Sequence, residues 1–224
     1  LASLEQTARK ASKGDLTARA PATGPREFSH LGSVLNEMMS AIEARTGDLR
    51  EANRKLRSQN KELADVRIQA ATDPLTGLGN HRSFHKTLRD EAAFAASQGA
   101  PLGLIIIDLD GFKEVNDSLG HLAGDQLLRE VAVALTRVVD RDRTYRYGGD
   151  ELSVILPGDD QATTVETAER LKGAILGVSA PGHGITASFG VACFPESAST
   201  SEELVYRADT AMYWAKSAGK NRVS

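Results

Sequence analysis

The chain has 224 residues, 41% hydrophobic and 25% charged, with 27 basic against 30 acidic side chains and a formal charge of −3. That apolar fraction supports a real core and excludes wholesale disorder, while the near-neutral balance excludes a long-range pull toward nucleic acid or anionic lipid. The one cysteine, Cys193, excludes an internal disulfide and a multi-cysteine zinc site, and the run Leu104 to Ile107 falls far short of the ~20 apolar residues that cross a bilayer. At roughly 150 residues per domain, the length suits one ordinary domain plus extra helical material. A soluble, cytoplasmic chain is expected. Because it begins at Leu1 rather than Met, it is expected to be a piece of a longer protein, whose membrane anchor, if it has one, lies upstream of residue 1.

Residues 1–48 show two helical stripes. Leu1, Leu4, Ala8 and Ala11 recur at helical spacing until Gly14-Asp15 stops them. Phe28, Leu31, Leu35, Met38 and Ile42 then alternate gaps of three and four, the pattern of a coiled-coil seam. The segment between them, Gly14 to Arg26 with Pro21, Gly24 and Pro25, is long enough for a return: about 12 extended residues reach roughly 40 Å, against about 22 Å for a 15-residue helix. The two helices can therefore run parallel. This layout resembles a HAMP module, with Gly14-Asp15-Leu16 and Pro25-Arg26-Glu27-Phe28 at matching places; a plain helical hairpin is the alternative.

Residues 42 to 72 predict a highly charged helix, with 49–72 as its signalling coiled coil. Leu49, Leu56 and Leu63 stand seven apart, and with these at d, Asn53 and Asn60 fall at a, a pairing that favours parallel dimers. From Met38 the seam runs 38, 42, 46, 49, 53, 56, and its two successive gaps of four form a stutter.

From residue 73 to 224 the character changes. Apolar runs at 102–108, 151–156 and 184–194 are separated by helical patterns at 81–98, 121–139, 160–177 and 202–217, which argues an α/β or α+β sandwich. Arg143 to Pro157 reads as a hairpin turning at Gly148-Gly149.

Two clusters carry chemistry. Ile105 to Lys113 is a buried strand ending in Asp108 and Asp110, after which Gly111 and Lys113 open a helix. A helix start offers free N–H groups to an anion, and a strand-tip aspartate is a hard ligand suited to Mg²⁺; as a plain helix cap it would be unremarkable chemically. Arg146 to Leu152 is a two-glycine turn followed by the adjacent acids Asp150 and Glu151. Adjacent acids repel, and a cation shared by Asp108 and Asp150 would relieve that, whereas a solvated hairpin tip is the bland alternative.

These motifs, with Asp73-Pro74-Leu75-Thr76-Gly77-Leu78-Gly79-Asn80, Asn116-Asp117, Gly120-His121, Gly124-Asp125, Ser188-Phe189-Gly190 and Ala215 to Asn221, resemble the GGDEF-domain diguanylate cyclases in kind and order, over about two thirds of the chain. The resemblance implies a GGDEF fold: a mainly antiparallel sheet flanked by helices, like nucleotidyl cyclase catalytic domains. It implies Mg²⁺ or Mn²⁺ held by Asp108, the Leu109 carbonyl and Asp150. Asn116 and Asp125 would read guanine with His121 nearby, and Lys113, Lys216, Lys220 and the N–H groups around Phe112 would meet phosphates. Glu151 would touch the metal and Asp150 would take the proton. The implied partners are GTP and a second copy of the chain, and the implied reaction joins two GTP into cyclic di-GMP with release of pyrophosphate. A catalytically inactive GGDEF domain that only binds nucleotide is the competing reading.

Three departures stand out. Leu152 replaces the motif's Phe at a core-facing position, and Lys220 replaces the usual Arg, keeping charge but losing the planar fork. Where product-inhibited members carry Arg-x-x-Asp, Asp142 is present but Val139 occupies the arginine position. The inhibitory site is therefore expected to be lost.

Overall fold

The computed structural model describes residues 2–21, 25–180 and 183–224, with backbone alone at 2, 63–69, 180 and 183. The chain divides into two units, Leu1–Val66 and Arg67–Ser224. No helix among the described residues is long and apolar enough to cross a membrane.

In the first unit, helix α1 (Ala2–Ser12) is followed by a connector and by most of α2 (Arg26–Ala71), whose last five residues belong to the second. The stripes at 28–42 and 42–72 thus belong to one helix of 46 residues, because no proline interrupts the period and its two glycines, Gly32 and Gly47, stand singly, each a tolerated cost of about 1 kcal/mol. The connector folds back along α2: Arg19 meets Glu43 at 3.1 Å, Ala20 exchanges two hydrogen bonds with Asn36 (2.7 and 2.9 Å), and the Pro21 carbonyl lies over Gly32. These contacts descend α2 as the connector advances, so the chain returns toward its start, as parallel helices require. Met39 is 2% exposed, whereas the seam residues Leu31, Met38, Ile42, Leu49 and Leu56 stay open at 47–64%. The side chain of Leu63 lies outside the described residues.

In the second unit, α3 (His81–Gln98) leads into β1 (Leu102–Asp110), α4 (Phe112–Leu119), α5 (His121–Thr136) and a 3₁₀ turn at Arg141–Arg143. Then come β2 (Thr144–Arg146), β3 (Glu151–Pro157), α6 (Gln161–Leu176), the short β4 (Ser179–Ala180) and β5 (His183–Gly184), β6 (Thr186–Phe194) and α7 (Ser201–Ser217). α5 stops three residues before the predicted end at 139, where the N–H groups of Arg137 and Val138 bond three residues back, to the Ala134 and Leu135 carbonyls, and tighten the last turn.

The sheet order is β2-β3-β1-β6, every pair antiparallel. β1 occupies the middle and is buried on both faces, which is why it reads as an unbroken apolar run. Ile105, Ile107 and Leu109 pack on the side of α4, α5 and α6, whereas Leu102, Leu104 and Ile106 pack on the side of α3 and α7 with Phe84, Leu88, Leu204 and Met212. Each such residue stabilises the fold by about 1.5–3 kcal/mol. Both faces being covered, the sheet is the middle layer of an α/β sandwich, and the ends of β1 and β3 open onto its rim.

Candidate active site

Period-two alternation carries Asp108 and Asp110 to the α3/α7 side of β1, at the end where the strand leaves the core. Asp108 is 7% exposed and pairs in register with Glu151 of β3 and Ser188 of β6. Lys216 of α7 places its Nζ 2.7 Å from the Asp108 carboxylate. Burial pushes Asp108 above the usual carboxylate range although Lys216 pulls it down, and the charges of Asp150 and Asp110 add to the rise. Glu151 is raised by burial and by Asp108 and Asp150. The Asp150 carbonyl accepts from the Leu109 N–H at 3.3 Å, tying the two predicted ligand segments together. Crowded carboxylates with one ammonium among them are an oxygen donor set short of positive charge, and a divalent cation fits that need. Among the described residues no three acidic, histidine or cysteine side chains form a closed cage. The set therefore suits Mg²⁺, which takes one or two carboxylates and fills its shell with water and phosphate.

Asp110, expected only as part of the strand tip, has a distinct task. Its carboxylate accepts from Thr186 Oγ1 (2.8 Å), Ser188 Oγ (2.8 Å) and the Asn221 N–H (3.0 Å), pinning the segment after α7 where Lys220 and Asn221 take positive φ. Lys220 is exposed there. Gly111 turns the strand into α4 at φ 79°, a conformation that disfavours any side chain, and no side chain caps the helix start. Phe112 itself is buried in the core, so its N–H rather than its ring faces the rim, and Lys113 is exposed in the first turn.

The glycine turn is braced from a distance. Arg146 donates from Nε and Nη2 to the Gly149 carbonyl (3.1 and 2.8 Å) and from Nη1 to both oxygens of Asp73 (3.2 and 3.3 Å). Asp73 also accepts from the Thr76 N–H and hydroxyl at 2.9 and 2.7 Å. Burial acts to raise Asp73, but Thr76 and Arg146 outweigh it and hold the carboxyl below its usual range. The Glu151 carbonyl takes the N–H groups of Tyr147 and Gly148. Leu152 is fully buried, so the shorter side chain at this motif position is a packing change.

On the other side of the rim, α4 and α5 bring the predicted base readers together. The Asn116 amide lies directly over Gly124, so close that a Cβ there would collide with its Oδ1, and half-buried Asp125 follows next in α5. His121 is exposed at the first position of α5. Before the turn, Val139 packs half-buried against the core, while Asp142 is exposed and its carbonyl accepts from the Tyr145 hydroxyl at 2.8 Å. Arg141 points its guanidinium at Gly77.

A three-layer sandwich whose central strand ends in a carboxylate cluster beside a two-glycine turn matches a known class. Residues 70–222 match the family model described as diguanylate cyclase, GGDEF domain, and residues 1–44 match the HAMP domain. The chain belongs to the GGDEF family of diguanylate cyclases and carries an N-terminal HAMP domain. It is 39% identical over 171 residues to diguanylate cyclase DgcP of Pseudomonas aeruginosa, covering 73% of this chain and 25% of that protein. To diguanylate cyclase TpbB of the same species it is 32% identical over 222 residues, 96% of this chain and 48% of the relative. The chain thus spans between a quarter and about half of these curated relatives. Among solved structures, the coiled coil and GGDEF domain of DgcB from Caulobacter crescentus in complex with c-di-GMP aligns with TM-score 0.71 and 32% identity, over 82% of this chain and 98% of that one. Diguanylate cyclase SiaD of P. aeruginosa, solved with its activator SiaC, aligns with TM-score 0.68 and 28% identity, over 99% and 83%.

Proposed function

We propose that this chain is an active diguanylate cyclase module that condenses two GTP into cyclic di-GMP and pyrophosphate, working in the cytoplasm as a homodimer governed by its N-terminal helices. The observation that carries this reading is the carboxylate cluster at the end of β1, where Asp108 and Glu151 are held above their usual range with Asp150 beside them.

Guanine offers donors at N1 and N2, which Asp125 accepts, while the Asn116 amide meets the remaining edge; adenine lacks that donor pair. Phosphates lie against the uncapped start of α4, with Lys113 and Lys220 supplying charge, and Lys216 exchanges Asp108 for a phosphate oxygen. Asp108, the Leu109 carbonyl and Asp150 would hold Mg²⁺ or Mn²⁺, which supplies Lewis acidity when bound, lowering the hydroxyl pKa and offsetting developing charge. The 3′-oxygen of one nucleotide forms a bond to the α-phosphorus of the other as the bond to the β-phosphate oxygen breaks, pyrophosphate leaves, and Asp150 takes the hydroxyl proton. One such site holds one GTP, so two domains must face each other. The exposed seam of α2 supplies the tether that raises their effective concentration.

Product inhibition through the segment before the turn is weak in this reading. Val139 faces the core with no donor, and Arg141 is directed to Gly77. The test is pyrophosphate release from GTP with MgCl₂, compared with Asp150→Asn. Turnover in the parent and a fall of about 10³-fold in the variant, the equivalent of about 4 kcal/mol, are expected. GTP binding without turnover would instead identify a binding module, and more than a tenth of parental activity in the variant would remove Asp150 from its role.

A further inference from the structure

The first turns of α3 carry a histidine pair that neither the carboxylate cluster nor the base-reading side uses. His81 and His85 are four residues apart, the spacing that sets two side chains on one helix face. Their Nε2 atoms face each other at 3.2 Å, with ring centroids 4.5 Å apart and planes at 70°. Two nitrogens approach in this way around a shared proton or a shared cation. With Zn–N bonds of about 2.0–2.1 Å, two imidazoles on a tetrahedral ion stand about 3.3–3.4 Å apart. The observed 3.2 Å corresponds to about 103° at such an ion, so the spacing of the two nitrogens already suits one once each ring turns its lone pair off the line between them.

The surroundings of His85 favour the unprotonated ring that a metal requires. Burial lowers the basicity of His85, and the neighbouring His81 and Arg89 lower it further, against an opposing pull from Glu202. His81 is exposed and His85 borders an open groove of about 280 Å³ shared with Arg89 and Glu202, so an ion has a path in and a carboxylate nearby.

We propose that His81 and His85 form a two-imidazole site for a borderline divalent cation, Zn²⁺ fitting best, with water completing its shell. Imidazole selects Zn²⁺, Ni²⁺ and Cu²⁺ over the hard cations that carboxylates take, so the chain sorts two metals between two places by ligand chemistry. The pair sits behind the glycine turn: the ring of Tyr147, which precedes Gly148, packs 4.8 Å from His81 and 5.6 Å from His85. An ion on the pair therefore fixes the ring from which the turn departs.

Calorimetric titration of the full chain with ZnCl₂, in excess MgCl₂ to occupy the carboxylates, tests this independently of catalysis. One Zn²⁺ per chain with a Kd below about 0.1 mM is expected. His81→Gln and His85→Gln should each weaken it about tenfold or more, while Asp108→Asn should leave it unchanged. In nitrogen-15 spectra the ring signals of His81 and His85 should move and those of His30 and His121 should not. A Kd above about 1 mM, equal binding in parent and both histidine variants, or loss of binding in Asp108→Asn alone would overturn the proposal.

Discussion

Replacing Gly124 with alanine separates packing from base recognition. In the interior of α5 the change should gain about 1 kcal/mol of helix propensity. Against that, the new Cβ would lie on Asn116 Oδ1, 2.9 Å from its Cγ, and 3.1 Å from Phe112 Cζ. Asn116 is half-buried and can leave its rotamer at about 0.5–1.5 kcal/mol, and Phe112 need give only a few tenths of an ångström. The two effects nearly cancel, leaving a stability change within about 1 kcal/mol, or about 2–4 °C in Tm. Recognition has no such compensation. Turning Asn116 aside leaves a polar base edge unpaired, at about 1–3 kcal/mol, so KM for GTP should rise about ten- to hundredfold with less change in kcat. Thermal unfolding and initial rates of pyrophosphate release read the two effects apart. Asn116→Ala should reproduce the KM effect, and the double variant should add little to it, since both remove one interaction. A KM within twofold of the parent, or a Tm fall beyond about 10 °C, would refute the reasoning.

Asp110→Ala removes three accepted hydrogen bonds, at about 1 kcal/mol each, so Tm should fall further than for Gly124→Ala, and the Asn221 amide should lose its protection from hydrogen exchange. Asp73 titrates below its reference value of 3.8, so its interactions stabilise the fold above that pH and are lost as pH falls through the lower native value. Arg146→Ala should therefore destabilise most near neutral pH, with the gap between parent and variant unfolding curves, followed by circular dichroism, narrowing below about pH 3 to what the two bonds to the Gly149 carbonyl contribute; a gap independent of pH would contradict this. Deleting residues 1–72 should lower turnover at low protein concentration and restore part of it at high concentration, which a dilution series of initial rates will show.

Much of this protein was legible locally. Helices and strands announce themselves through periods of 3.6 and 2 and through caps such as Asn80, whose side chain accepts from the Ser83 N–H, and Asp160, which accepts from Thr163. For that reason α3 falls on its predicted span and the hairpin turns at Gly148-Gly149, and the sequence alone set the acids at 108 and 150 at the ends of their two apolar runs. Four other features depended on where the elements came together. The Arg146–Asp73 brace joins residues 73 apart in the chain, and Asn221 reaches Asp110 across 111 positions. Lys216, expected against phosphate, lies on Asp108 because α7 crosses the end of β1. The seam of α2 stays open while neighbouring Met39 is buried, a difference that the shared period does not foretell. Periodicity records which residues share a face, and it carries no information about what that face will meet. That choice is made by the summed packing of distant segments, in which each pairing depends on all the others being in place.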